Sequence, residues 1–523
     1  MRKGTGGVAV SEQIGAPVRA AGGAGLGRFG LADARLALPV TLFLLAIVLP
    51  IHFRLGPLQM TGPRLLLLMM IVPLVVNLFS GRYGRVLLID LLFFAHILWA
   101  SVALWVNNPN QVVTNAGSTG IEFLGGYMVG RAFIRSPADF VALVRWLAAI
   151  ACAFLPFVIF ETMTGRPLLL EIIGKIPGIG TVRPVHADQR LGLERVQAVF
   201  THPIHSGLFF SSIFGLIFVG FRDVFERTTR FVIAGIAGLS GFLALSSGAL
   251  LAIMLLCGLI GWAWLFEGHR RRWWYLVGLF AALYVAIDLL SNRPPIRVFL
   301  HYGTFSAHTA YWRTIIFEHG MNNVWANPLF GLGLRDWVRP AYMHSGSVDN
   351  FWLLTAMRYG IPGFATLAGG WLMALFLIAR RDFAADRRLA NLRLAWMFCM
   401  IGLTFTLCTV HVWHTVFSYV FFLFGAGIWM IAAEPAGAAA AAPQAAGPGR
   451  PGGVLRIDRS PERRALAPAT ARAAAPDRAE TRAASAPRRP AAPGADPAGR
   501  AETRYSRFAP RPLPPRGPGP GRS

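Results

Sequence analysis

Charge is scarce in this chain: Asp, Glu, Lys and Arg together make up 14% of its 523 residues, against 54% hydrophobic residues. With a mean hydropathy of +0.50, most of the chain cannot be solvated by water, which excludes a soluble globular protein. Acidic residues are scarcer still, 25 Asp and Glu against 50 Lys and Arg, for a formal charge of +25. That excess lies in short clusters between apolar runs and in the C-terminal tract, so it reports topology, and no nucleic-acid partner is expected. Cysteine is rare as well. Cys152, Cys257, Cys399 and Cys408 all fall in apolar runs without metal-ligand spacing, which leaves them as small packing residues rather than disulfide partners or zinc ligands. There is no Asp-x-Asp pair and no P-loop, so neither a metal nor another cofactor is expected. A G-x-G-x-x-G at Gly25, Gly27 and Gly30 follows no strand and is read as chance composition.

Long apolar runs are what the chain does have. Segments long enough to span a bilayer begin near Leu36, Leu65, Val86, Ile121, Phe140, Ile204, Phe231, Ala249, Trp273, Ile361, Leu394 and Thr415, which predicts an all-α, polytopic membrane protein of about twelve spans. The fourth is the weakest, interrupted by Glu122 and the Gly125/Gly126 pair. The Arg82/Arg85, Arg131/Arg135, Arg222/Arg227/Arg230, Arg270 to Arg272 and Arg380/Arg381/Arg387/Arg388 clusters alternate with connections nearly free of Lys and Arg. By the positive-inside rule, both termini are expected in the cytoplasm of a bacterial inner membrane, with Arg54 and Arg64 in the first outer loop a mild exception. The expected domains are a basic arm at 1–35, a transmembrane domain at 36–433, and a disordered Ala/Pro/Arg-rich tail at 434–523. Arg131 falls at a cytoplasmic helix end, and Asp90 and His96 lie within the third span with no partner visible.

Two outer connections, about 161–203 and 291–350, are far longer than the rest, and structureless loops of that length usually carry function. The first ends Arg190-Leu-Gly-Leu-Glu-Arg195, then Phe200-Thr-His202-Pro-Ile-His205-Ser-Gly207. Pro203 suits the first turn of the sixth span, whose amide-rich N-terminus beside Arg190 and Arg195 would suit a phosphate or pyrophosphate. Alternatively the arginines snorkel to lipid phosphates and His202 and His205 are interfacial polar residues. The second carries Tyr311-Trp312-Arg313, Asn327-Pro-Leu-Phe-Gly331-Leu-Gly333-Leu-Arg335, His344-Ser-Gly-Ser-Val-Asp349-Asn350-Phe and Arg358-Tyr-Gly360-Ile-Pro-Gly363.

These elements, together with Gly126-Tyr-Met-Val-Gly-Arg131 and Ser246-Ser-Gly-Ala249, resemble the bacterial O-antigen ligase and polymerase superfamily from about Tyr127 to Trp429. The resemblance implies a metal-independent, inverting membrane glycosyltransferase. Its donor would be an undecaprenyl-diphosphate-linked glycan and its acceptor a glycan or lipid, among membrane lipids and other polysaccharide-assembly proteins. Ligases of the family place His-Asn, His-Ser or His-Gln about nine residues before the Gly-x-x-Gly element. Asp349-Asn350 stands there instead, which favours a polymerase. Such a reaction needs cations on the diphosphate leaving group and a base for the acceptor hydroxyl. Arg190, Arg195 and Arg313, with Arg335 as a fourth, are the expected clamp, because guanidinium forks pair with phosphate oxygens and stay charged. Asp349, or His344 nearby, is the expected base. His202, Trp312 and Asn350 are expected to touch substrate. Asp349 could instead cap the following helix. Tyr302, Trp312, Phe330, Trp337, Tyr342 and Trp352 could stack on sugars or anchor the chain at the membrane interface. A lipid-linked oligosaccharide flippase is the rival from another class, although no internal repeat of the transporter kind is visible.

Overall fold

The computed structural model describes residues 35–56, 58–269, 271–291, 298 and 307–434. The basic arm, the Gly25 motif, Tyr302 and the C-terminal tract lie outside them. Each of the twelve apolar runs falls on helix. Among the described residues nine helices are long and apolar enough to cross a membrane: α2 (Gly62–Phe79), α3 (Leu88–Asn107), α6 (Pro137–Thr164), α8 (Pro203–Gly220), α10 (Ser247–Leu265), α11 (Arg272–Leu290), α13 (Phe351–Ala379), α14 (Arg387–Leu407) and the segment His414–Ile431 that begins with α15 (His414–Gly425). The chain is an all-α, multi-pass membrane protein.

The other three runs depart from simple spans. α1 (Leu38–Val48) has 11 residues, about 16 Å of helix against a hydrocarbon core of about 30 Å. It is followed by a hairpin of β1 (Ile51–Leu55) and β2 (Leu58–Thr61), and β1 also pairs with the two-residue β3 (Gly180–Thr181) of the first long connection. The fourth run is interrupted as expected. It forms π-helical turns at Val112–Ala116 and Ile121–Gly125 around the short α4 (Gly117–Gly120), then α5 (Gly126–Phe133). α7 (Leu168–Gly174) lies in the first long connection, and α9 (Arg227–Leu243) has 17 residues.

The bundle is centred on α8, where 89% of the apolar window is buried, whereas none of α11 is. Helices approach closely where α5 packs on α15. A side chain at Gly126 or Gly130 would overlap the carbonyls of Ser418 or Phe422, so the Gly-x-x-x-Gly spacing lets the two backbones touch.

Two carboxylates of this interior, Asp90 and Glu122, are paired with arginines. Asp90 accepts the Leu87 amide at 2.7 Å and the Tyr127 hydroxyl, and lies 3.6 Å from Arg131 Nε. Arg131 also donates to the carbonyls of Tyr83 at 3.0 Å and Arg85 at 3.1 Å, which gathers the first two basic clusters at one end of the bundle. Arg64 is buried, donating to Glu122 Oε1 from Nη2 (2.7 Å) and Nε (3.1 Å) and to the Gln59 carbonyl. That pairing accounts for an arginine where the charge rule disfavours one. His96 Nδ1–H donates to the Gly363 carbonyl at 2.7 Å.

Candidate functional site

The first long connection is held by side chains behind it. Glu161, in the last turn of α6, accepts the Gln197 and Ala198 amides at 2.7 and 2.9 Å. Thr162 bonds Glu194 through both its backbone carbonyl and its hydroxyl, at 3.1 and 2.9 Å. The buried Gln197 side chain uses both ends, accepting from the Val185 amide and donating to the Arg183 and Phe200 carbonyls. Inside this frame Arg190 and Leu193 exchange backbone bonds of 3.1 and 3.0 Å around Leu191 and Gly192, both at positive φ. A turn with two such central residues reverses the chain in four residues. It sends Arg190 toward the start of α10, where Nη1 donates to the Leu245 carbonyl at 2.8 Å and lies 3.4 Å from Ser247 Oγ. His202 then caps α8, its Nδ1 accepting the Ile204 amide at 3.1 Å, with Pro203 in the first turn as expected.

The second long connection is no bare loop. It contains α12 (Ala307–Ala326), which carries Trp312 and Arg313. After it, Asn327 to Arg335 wedges into a break in α13, where Gly360 has φ 71° and ψ −178°. A side chain there would overlap the Leu329 carbonyl, so the left-handed backbone requires glycine. The break frees helical carbonyls and amides. The wedge satisfies them: the Leu332 and Gly333 amides donate to Met357 and Arg358, and the Ile361 amide donates to Pro328. α3 closes over the wedge. Trp99 Nε1 donates to the Tyr359 carbonyl at 3.0 Å and stacks on Phe330, and Asn107 and Asn108 bond Phe330, Gly331 and Leu334. The chain then reaches Asp349, which is exposed and accepts the Ser347 hydroxyl at 2.9 Å. The cap of α13 is Asn350, not Asp349: Asn350 Oδ1 accepts the Leu353 amide at 3.0 Å. The Asp349 carboxylate is thereby left out of the helix start.

The two connections meet. His202 lies in the electrostatic field of Arg195, Asp349 and Arg190, and Arg313 in that of Asp349 and Arg190. Burial lowers the Arg195 pKa to about 10, with Arg190 pushing the same way and Asp188 opposing, so Arg195 stays charged at neutral pH. Burial also lowers Arg313, Asp349 opposing and Arg190 assisting. His202 is lowered by burial and then by Arg195, Asp349 opposing. It is therefore neutral, and since Nδ1 accepts, Nε2 carries the proton and can donate. Arg195 Nε and Arg313 Nε are both buried without a hydrogen-bond partner among the described residues.

Five of the expected residues are thus linked by electrostatic interaction: Arg190, Arg195, His202, Arg313 and Asp349. Four do not join them. Arg335 is exposed and tied to Asn107 Oδ1, His344 is exposed with no bond to the five, Trp312 lies against Tyr342 with ring centres 6.2 Å apart, and Asn350 is engaged as the cap. Residue pattern alone did not point to Glu161 and Gln197, which hold the first connection, or to the tether from Arg190 to Ser247. It also missed Trp413, whose ring lies 4.1 Å from His205 and 5.7 Å from His411. Ser247 lies inside Ser246-Ser-Gly-Ala249, a signal present without an assigned role.

Residues 231–368 match the family model described as O-antigen ligase. That segment supports the resemblance to the O-antigen ligase and polymerase superfamily. No curated protein matches the chain. The matched O-antigen ligase segment runs from α9 into α13 and contains Arg313 and Asp349, whereas Arg190, Arg195 and His202 precede it. The match supports membrane glycan processing of the ligase and polymerase type.

Proposed function

We propose that the chain polymerises surface polysaccharide at the periplasmic face of a bacterial inner membrane, using an undecaprenyl-diphosphate-linked donor. The observation that carries this reading is the meeting of Arg190, Arg195 and His202 with Arg313 and Asp349. Diphosphate oxygens fit buried guanidinium N–H groups that lack a partner, and a neutral His202 can add its Nε2–H. In the step, the acceptor hydroxyl oxygen attacks the anomeric carbon from the face opposite the diphosphate, and Asp349 takes its proton. The bond from the anomeric carbon to the diphosphate oxygen breaks and the leaving group departs with the electron pair. The arginines act where that charge grows, which is where fixed cations lower a barrier most. Nothing in the step calls for a metal.

A ligase is the second reading, favoured by the description of the matched family. The glycan profile of cells carrying Arg313→Ala or Asp349→Ala, at wild-type expression, tests both. Single repeat units accumulating on the carrier indicate a polymerase and long untransferred chains a ligase. Units held on the cytoplasmic face indicate a flippase, and an unchanged profile sinks the glycan reading.

A further inference from the structure

Beside Arg195 the first connection forms a half-open cavity of about 290 Å³, lined by Glu161, Asp188, Gln189, Glu194, Arg195 and Gln197 among others. Its volume lies near the lower end of the roughly 300–1,000 Å³ of small-molecule sites. Arg195 belongs to both places, lining this cavity while its charge is felt by His202 and Arg190. A ligand whose diphosphate sits on the arginines would therefore place the group next to that diphosphate within reach of the cavity.

The lining is rich in acceptors. Glu161 is occupied by backbone amides and Gln197 by its own contacts. Glu194 receives one bond at Oε1, from Gln189 at 2.5 Å, and Asp188 is exposed with no hydrogen bond among the described residues. Ionised carboxylates only accept, so these two call for a ligand that brings O–H or N–H donors. They would repel a ligand carboxylate. Resting on the diphosphate reading above, we propose that this cavity binds the carrier-proximal sugar of the donor, and that the sugar is neutral or amine-bearing rather than acidic.

The full chain in lipid nanodiscs can be titrated with undecaprenyl diphosphate alone, with the same carrier bearing N-acetylglucosamine, and with the carrier bearing glucuronic acid. The neutral sugar should tighten binding about tenfold over the bare carrier, and the acidic sugar should not. Asp188→Ala combined with the isosteric Glu194→Gln should erase that tenfold gain while the bare carrier still binds. Arg195→Ala should weaken all three probes. If wild type treats the neutral and acidic sugars alike, or the double variant keeps the gain, the sugar site is overturned and the diphosphate reading stands. If wild type binds no carrier, the diphosphate reading fails and takes this site with it.

Discussion

Two sets of charged residues in this molecule are arranged in opposite ways. Inside the bundle, Asp90 with Arg131 and Arg64 with Glu122 form pairs whose hydrogen bonds are supplied from within the protein. Where the two long connections meet, Arg195 and Arg313 keep buried Nε groups without acceptors among the described residues. An ionisable group at membrane depth is a functional candidate by default, yet here those groups brace helices. Among the described residues Arg131 Nε, Arg230 Nε and Arg381 Nε also lack an acceptor, but Arg131 is held by Asp90 and by two backbone carbonyls. A cation held by a carboxylate and carbonyls of the protein is read as structural, and a buried cation without them as a place prepared for something else.

Substitution should separate the sets. The largest effect is expected for Asp90→Ala, which leaves Arg131 buried without its carboxylate and should cost about 3–5 kcal/mol of stability. Thermal unfolding in detergent measures it, and a variant as stable as wild type would make that pair dispensable. Arg313→Ala should behave in the opposite way. We expect transfer to fall about 10²–10³-fold, the scale for removing one preorganised stabilising group, with the unfolding temperature little changed. A matching loss of stability would return Arg313 to the structural set.

A third test uses the half-buried ring of His411, in the link between α14 and α15. Burial, then Arg358 and His414, lower its pKa from 6.5 to about 3. The unfolded chain binds a proton at this residue below pH 6.5 and the folded chain only near 3. Its contribution is therefore present above pH 6.5 and is lost as the pH falls toward 3, by an amount on the order of a few kcal/mol. His411→Gln should flatten that slope, and an unaltered slope would assign the acid sensitivity elsewhere. The smallest effect separates two neighbours. Asn350→Ala removes the α13 cap and should cost about 1 kcal/mol, whereas Asp349→Ala should leave stability near wild type and slow transfer.

The spans were legible because apolar length is a local property, and every expected run carries helix. α12 was not, since Ala307–Ala326 mixes Arg313, Glu318 and His319 with aromatic residues and lacks the hydropathy of a span. The weakness of the fourth run was visible in Glu122 and its glycines, but the partner that makes Glu122 tolerable, Arg64, lies 58 residues away. The arginines were visible by type. Their meeting was not, because Arg190 and Arg313 belong to different connections and only the packed bundle brings them within each other's field. The cap was not legible because Asp349 and Asn350 are both good caps, and only the backbone decides which one precedes the first helical turn.

The claim that the two connections form one site is tested most directly by a double-mutant cycle on transfer activity with Arg195→Ala, Arg313→Ala and the combination. If both cations hold one diphosphate, the double variant should lose much less than the product of the single losses, a coupling of about 1–3 kcal/mol. Losses that simply multiply would mean that the arginines act at separate places, and would contradict the single site.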